Sequence, residues 1–236
     1  MYKIKKKLNP VRPELSIIIP VHNALPFLNK CLTSLQKIEG VDGYEIIIVN
    51  DGSSQETVNY LNQFPQLNTI HFQQSKGFIE ACHAGVNKAN GKYILLLNSD
   101  TELIEPTSFR KMLDIFKFNK NVGVVGARLL LENNTIQHAS LIFDPKQMNY
   151  IHHNIGKDKN DPVVCVNEVV DVVTGACFMT SRGLWNKIGG FDKNYGHGYF
   201  EDTDYCLRAK ELGYSTIYCG EALLYHYQSK SFSGGP

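Results

Sequence analysis

The stretch Tyr44-Glu45-Ile46-Ile47-Ile48-Val49-Asn50-Asp51-Gly52-Ser53-Ser54 decides the fold class. Ile46 to Val49 are all β-branched and do not alternate with polar residues, so they form a strand covered on both faces. Asn50 to Ser54 then break the run as a polar turn. The same construction recurs along the first half, at residues 15–20, 67–73, 93–98 and 122–126. Between these runs, Phe27, Leu28, Cys31, Leu32 and Leu35 fall at helical spacing, as do Ile79, Cys82, Val86 and Ala89. Strand, helix and strand at this rhythm predict right-handed βαβ units around a parallel sheet.

The second half is less periodic. Residues 129–161 are polar and predict irregular chain, after which strands are expected at 169–173 and 177–180. A helix over 181–188, a Gly-rich loop, a helix over 202–212 and strands at 216–219 and 223–227 complete the reading. The whole is an α/β chain with a Rossmann-like, mostly parallel sheet and helices on both faces. An N-terminal extension (1–14) precedes one domain (15–236), with a nucleotide-binding half (15–130) and an elaborated second half (131–236).

Composition narrows the function. The 236 residues carry 24 basic and 23 acidic side chains, a formal charge of +1, which lacks the basic excess of a nucleic-acid-binding domain. No apolar run approaches the roughly 18 residues of a membrane-spanning helix. The 6 cysteines are scattered, form no C-x-x-C pair, and read as buried thiols of a reducing, cytoplasmic setting. The lysines of the first seven residues read as a solvated leader, with peripheral contact at the inner face of a membrane as the other reading.

Open parallel sheets bind ligands at the carboxyl ends of their strands. After the first strand stands Pro20-Val21-His22-Asn23, with no G-x-G-x-x-G, so a dinucleotide site is excluded. The segment from Gly85 to Gly91-Lys92 is one residue too long for a P-loop, and Tyr93 replaces its Ser or Thr. Neither H-E-x-x-H nor G-x-S-x-G occurs. What remains is a set of polar strand ends, Asn50-Asp51-Gly52-Ser53 and Asn98-Ser99-Asp100-Thr101. One carboxylate there can accept hydrogen bonds from a base or ribose, and one beside a diphosphate can hold a hard divalent cation.

With these blocks in view, the sequence resembles the inverting family-two glycosyltransferases of GT-A fold, and among them rhamnosyltransferase-like enzymes of bacterial cell-surface polysaccharides. Ser16 to Asn23 resembles their first strand and loop, Asn50-Asp51-Gly52-Ser53 their D-D-G-S block, and Asn98-Ser99-Asp100 their D-x-D motif with asparagine first. Phe200-Glu201-Asp202-Thr203-Asp204 resembles their E-D-x-D segment. The resemblance implies Asp202 as catalytic base and Glu201 as an acceptor-positioning group. It implies nucleotide-sugar contacts at Pro20, Val21, Asn23, Asp51, Lys76, Gly77, Ser99 and Asp100. Mn²⁺ or Mg²⁺ is expected at Asp100 with His226, and Asn98 is a further candidate ligand. Asp204 and Arg208, one helical turn apart, read as a structural pair.

The implied reaction moves a hexose from a UDP- or dTDP-linked donor to a glycan or lipid-linked glycan, beside further domains or subunits of a polysaccharide synthase. The alternative is a catalytically decayed sugar-nucleotide-binding module of a larger synthase, a reading that Asn98 favours. No second carboxylate block supports a glycoside hydrolase, and no Gly-rich loop after the first strand supports a nucleotidyltransferase.

Overall fold

The computed structural model describes residues 12–227. The lysines of the expected leader lie outside these residues. The first half runs β1 (Leu15–Val21), α1 (Leu25–Leu35), β2 (Tyr44–Asp51), α2 (Gln55–Asn62), β3 (Asn68–Phe72), α3 (Phe78–Lys88), β4 (Tyr93–Leu97), β5 (Thr101–Leu103), α4 (Ser108–Phe118) and β6 (Val122–Leu130). The second half adds β7 (Ile136–His138), β8 (Ser140–Asp144), β9 (Asn149–His153), β10 (Glu168–Val170), β11 (Cys177–Ser181), α5 (Arg182–Ile188), α6 (Glu201–Glu211) and β12 (Ser215–His226).

The main sheet has the order β10-β12-β6-β11-β4-β1-β2-β3, with β5 on β12 and β7 on β6. Strands β1, β2, β3, β4, β6 and β12 share one direction, whereas β11 runs against both its neighbours and β10 against β12. The uninterrupted Ile and Leu runs follow from burial on two sides. Ile17, Ile19 and Ile48 pack with α1, α2 and α4, while Ile18, Ile47 and Val49 pack with α3, α5 and α6. Helix α3 approaches the sheet closely because Gly85 faces Ile18, whose Cγ2 would lie 2.3 Å from an added Cβ.

Three expectations need correction. Residues 129–161 are not irregular: β6 continues to Leu130, β7 pairs with it, and β8 and β9 form a separate hairpin. These strands are short and their hairpin is largely exposed, so they need neither long apolar runs nor clean alternation. The strand predicted over 169–173 is shorter and earlier, as β10. The two strands expected at 216–219 and 223–227 are one bent strand, β12, whose register on β6 shifts between Cys219 and Leu223. Helix α4, which the sequence reading passed over, buries Phe109, Met112, Leu113 and Phe116 at helical spacing.

All 6 cysteines are free thiols, five of them buried and Cys165 half-buried. No helix among the described residues is long and apolar enough to cross a membrane.

Candidate active site

The loops after β1, β2 and β3 are tied into one cluster. The Asn23 backbone N–H donates to Ser53 Oγ at 2.9 Å, and Asn23 Oδ1 accepts from the Ser54 N–H at 2.9 Å. Asp51, 4% exposed at the end of β2, accepts from Ser75 Oγ at 2.7 Å and from the backbone N–H groups of Lys76 and Gly77 at 2.6 and 3.0 Å. Its carboxylate therefore clamps the loop that enters α3. Asn50 spends its amide on His71 and on the Ser53 N–H, a turn-holding role. Lys76 lays its Nζ over the Phe72 ring at 4.7 Å. Gly77 has φ of 90° and sits against His197, where a Cβ would come within 2.8 Å of Cα, so α3 and the loop before α6 meet there. Pro20 and Val21 are buried in the last turn of β1, and Val21 pairs with Asn50.

The second cluster stands at the end of β4. Asp100 is fully buried in the turn to β5, and neither of its carboxylate oxygens has a hydrogen-bond donor. The chain just past β12 closes over it: the Tyr227 N–H donates to the Asp100 carbonyl at 2.9 Å. His226 Nε2 lies 3.3 Å from Asp100 Oδ1. His226 Nδ1 contacts Gln137 Oε1 at 3.0 Å, and since an amide oxygen only accepts, Nδ1 carries the proton. Asn98 Nδ2 stands 3.4 Å from Nε2 and can only donate, which leaves a lone pair there.

A carboxylate without donors therefore faces an imidazole lone pair, a pair of Lewis bases with nothing positive between them. That donor set suits a hard divalent cation, with Gln137 orienting the histidine from behind. No group of three or more His, Cys, Asp or Glu among the described residues could complete the shell, so phosphate oxygens and water would supply the remainder. Ser99 is buried with its hydroxyl unpartnered.

Across a cavity of about 300 Å³ from this pair stands the start of α6. Phe200 enters the helix in the left-handed region with φ of 66°, and Tyr199 before it has φ of 77°. Asp202 stands in the first turn, where the N-cap residue Phe200 supplies no side-chain cap. Its Oδ2 accepts from the Gly175 N–H at 2.7 Å and its Oδ1 from the Thr203 N–H at 2.6 Å. Burial raises its pKa, and these hydrogen bonds to the charged form oppose the rise. Glu201, 6% exposed with Oε2 unpartnered, is pushed up to about 7 by burial and by the neighbouring Asp202 charge. Both adjacent carboxyls therefore hold a proton more tightly than an exposed carboxylate, Glu201 to about 7. Asp204 and Arg208 pair as expected, and Arg208 also donates to the Ile188 and Gly190 carbonyls.

The structure thus brings Asn98, Asp100, Glu201, Asp202 and His226 around one cavity, with Asp51, Lys76 and Gly77 in the adjoining loop cluster. The sequence reading missed Gln137, His138, His152 and Thr174, which line the same cavity. Gln137 and His138 come from β7 and His152 from β9, all within a stretch read as irregular.

The family profile described as Glycosyl transferase family 2 matches residues 16–189. The chain belongs to that family. It is 26% identical to protein y4gI of Sinorhizobium fredii over 93% of this chain and 25% of that protein. It is 24% identical to the O-antigen biosynthesis protein RfbC of Myxococcus xanthus over 94% of this chain and 18% of RfbC. The chain therefore spans a quarter or less of these two curated relatives. Among solved structures, GalNAc-T7 with UDP, GalNAc and Mn²⁺ superposes with a TM-score of 0.76 at 14% identity, covering 93% of this chain and 44% of that one. The fold of this family-two member is GT-A, as its strand order and neighbours show.

Proposed function

We propose that this chain is a metal-dependent, inverting glycosyltransferase that moves a hexose from a UDP- or dTDP-linked donor to an acceptor hydroxyl. The observation that carries the proposal is the single cavity with Asp100 and His226 on one wall and Glu201 and Asp202 on the other. The Mn²⁺ and UDP in the GalNAc-T7 structure, and the O-antigen role in the name of RfbC, support the cation, the nucleotide and a setting in cell-surface polysaccharide assembly.

Asp202 takes the acceptor's proton as its oxygen attacks the anomeric carbon opposite the departing diphosphate, which gives inversion. The Gly175 and Thr203 N–H groups hold that carboxylate in place, and its partial burial keeps it basic. Glu201 positions the acceptor. Asp100 and His226 would hold a divalent cation, Mn²⁺ or Mg²⁺, which when bound supplies positive charge to the leaving diphosphate. Asp51, Lys76, Gly77, Ser99 and the loop Pro20, Val21 and Asn23 shape the donor side, and Asp51 does so chiefly by holding the loop at Lys76 and Gly77. Asn98 orients the His226 lone pair, so asparagine at that position does not by itself mark a decayed site.

UDP release from UDP-sugars, measured with Mn²⁺ and after exhaustive chelation, tests the reading. Metal-dependent release is expected. Undiminished release after chelation would refute the metal assignment, absence of release with UDP binding retained would leave the decayed binding module, and absence of both would refute the two readings together.

A further inference from the structure

Within the glycosyltransferase reading, on which this inference rests, the acceptor side of the cavity holds a hydrogen-bonded histidine pair that no motif announces. His138 on β7 is 1% exposed, and its Nε2 lies 3.2 Å from the backbone N of Thr174, which donates to it. A backbone N–H has no acceptor capacity, so Nε2 of His138 must carry its lone pair. The neutral ring then carries its proton on Nδ1. Burial, with His152 and His226 nearby, holds the pKa of His138 well below the ordinary histidine value, in keeping with that neutral state.

His138 Nδ1 stands 3.1 Å from Nδ1 of His152, on β9, and the rings meet edge to face at 89°. With the proton on His138, the His152 Nδ1 must accept. The remaining proton of His152 is therefore on Nε2. His152 is exposed and lines the cavity that also holds Asp202 and Glu201.

We propose that His152 is an acceptor-specificity residue: its Nε2–H, fixed by the chain Thr174 N–H to His138 to His152, donates to an oxygen of the sugar acceptor other than the attacking hydroxyl. The same chain denies His152 a lone pair toward the cavity, so it cannot serve as a second base beside Asp202. The acceptor class is a polyol ring bearing a second oxygen near its nucleophilic hydroxyl. A simple alcohol or a water molecule satisfies only one of the two groups.

Long-range ¹H–¹⁵N NMR of the histidine side chains in the intact chain reads the tautomers without any turnover. The Nδ1–H form of His138 and the Nε2–H form of His152 are expected; the opposite form of His152 overturns the proposal. Methyl glycosides of glucose, galactose and mannose, added with UDP and diamagnetic Mg²⁺, should shift the His152 Nε2 resonance for at least one of the three. No shift with any of them also overturns it. For the glycoside that binds, His152→Phe should raise the acceptor Kd or KM about three- to tenfold, the loss of one neutral hydrogen bond. His152→Gln, which keeps an acceptor and a donor, should recover most of that loss, and UDP affinity should change less than twofold in both variants. Equal losses in the two variants would mean a packing role. Failure of UDP-sugar turnover in the unaltered chain would instead count against the proposed function, leaving the tautomer and binding results to stand or fall alone.

Discussion

Asp202 and Asp100 are both buried carboxylates, and their surroundings assign them opposite needs. Asp202 is supplied with backbone donors and is aimed at the cavity. Asp202→Asn keeps its shape but cannot take a proton, so kcat should fall about 10²–10⁴-fold while donor Kd stays within a few fold. Near-normal kcat with a lowered Tm would reduce Asp202 to a structural residue. Asp100 has no donors at all, and a buried carboxylate in that state costs folding free energy. Asp100→Ala should therefore leave the metal-free Tm unchanged or higher, while abolishing the rise in Tm that Mn²⁺ with UDP confers. A lower metal-free Tm in thermal denaturation would show that Asp100 holds the fold rather than a cation. Gln137→Leu removes the group that fixes the His226 tautomer, and should weaken Mn²⁺ affinity roughly ten- to a hundredfold, as read by calorimetry.

At the level of elements, the loop between β3 and α3 is held at two points, by Asp51 from β2 and by His197 from the loop before α6. Asp51→Ala should lower stability by about 1–3 kcal/mol, because it strands buried N–H groups, and should weaken UDP binding as the loop loosens. Denaturant unfolding and calorimetry on the same variant check both, and weakened UDP binding with unaltered stability would restore a direct contact with the base. Sequence made β1, β2 and β4 readable because strands buried on both faces need unbroken apolar runs. Asp51 and Asp100 were readable because each ends or follows such a run, whereas Asp202 and His226 entered through the family resemblance. The hairpin of β8 and β9 could not be read: it is short, half-exposed and stabilised by pairing more than by burial. Its site residues were hidden with it. His152 acquires meaning only when β7 brings His138 beside it, and Gln137 only when β12 brings His226. Asp51 was found for its position, but its loop-holding role depends on Lys76 and Gly77, which no spacing rule connects to it.

For the molecule as a whole, the acidic pair at α6 links stability to pH. An unfolded glutamate titrates near 4.5, whereas the folded Glu201 carboxyl is raised to about 7. Between those values the folded protein retains a proton that the unfolded chain has lost. The contribution of this group is thus most favourable below pH 4.5 and declines as pH rises toward 7. Glu201→Gln should remove that decline and raise stability at pH 8 by up to about 3 kcal/mol. Urea unfolding of both proteins from pH 5 to 8 is the measurement, and parallel curves would contradict the assignment. The position of β12 has another consequence. It lies inside the sheet, between β6 and β10, and also pairs with β5 beside Asp100. Synthesis proceeds from the amino end, so a nascent chain exposes β6, every residue of which is destined for burial, long before its neighbour has been made. During that interval the unfinished sheet has an adhesive open edge, and His226 is not yet available to face Asp100. The growing polypeptide thus carries an unpaired apolar edge until β12 has been made, and the pairing of Asp100 with His226 waits for that strand.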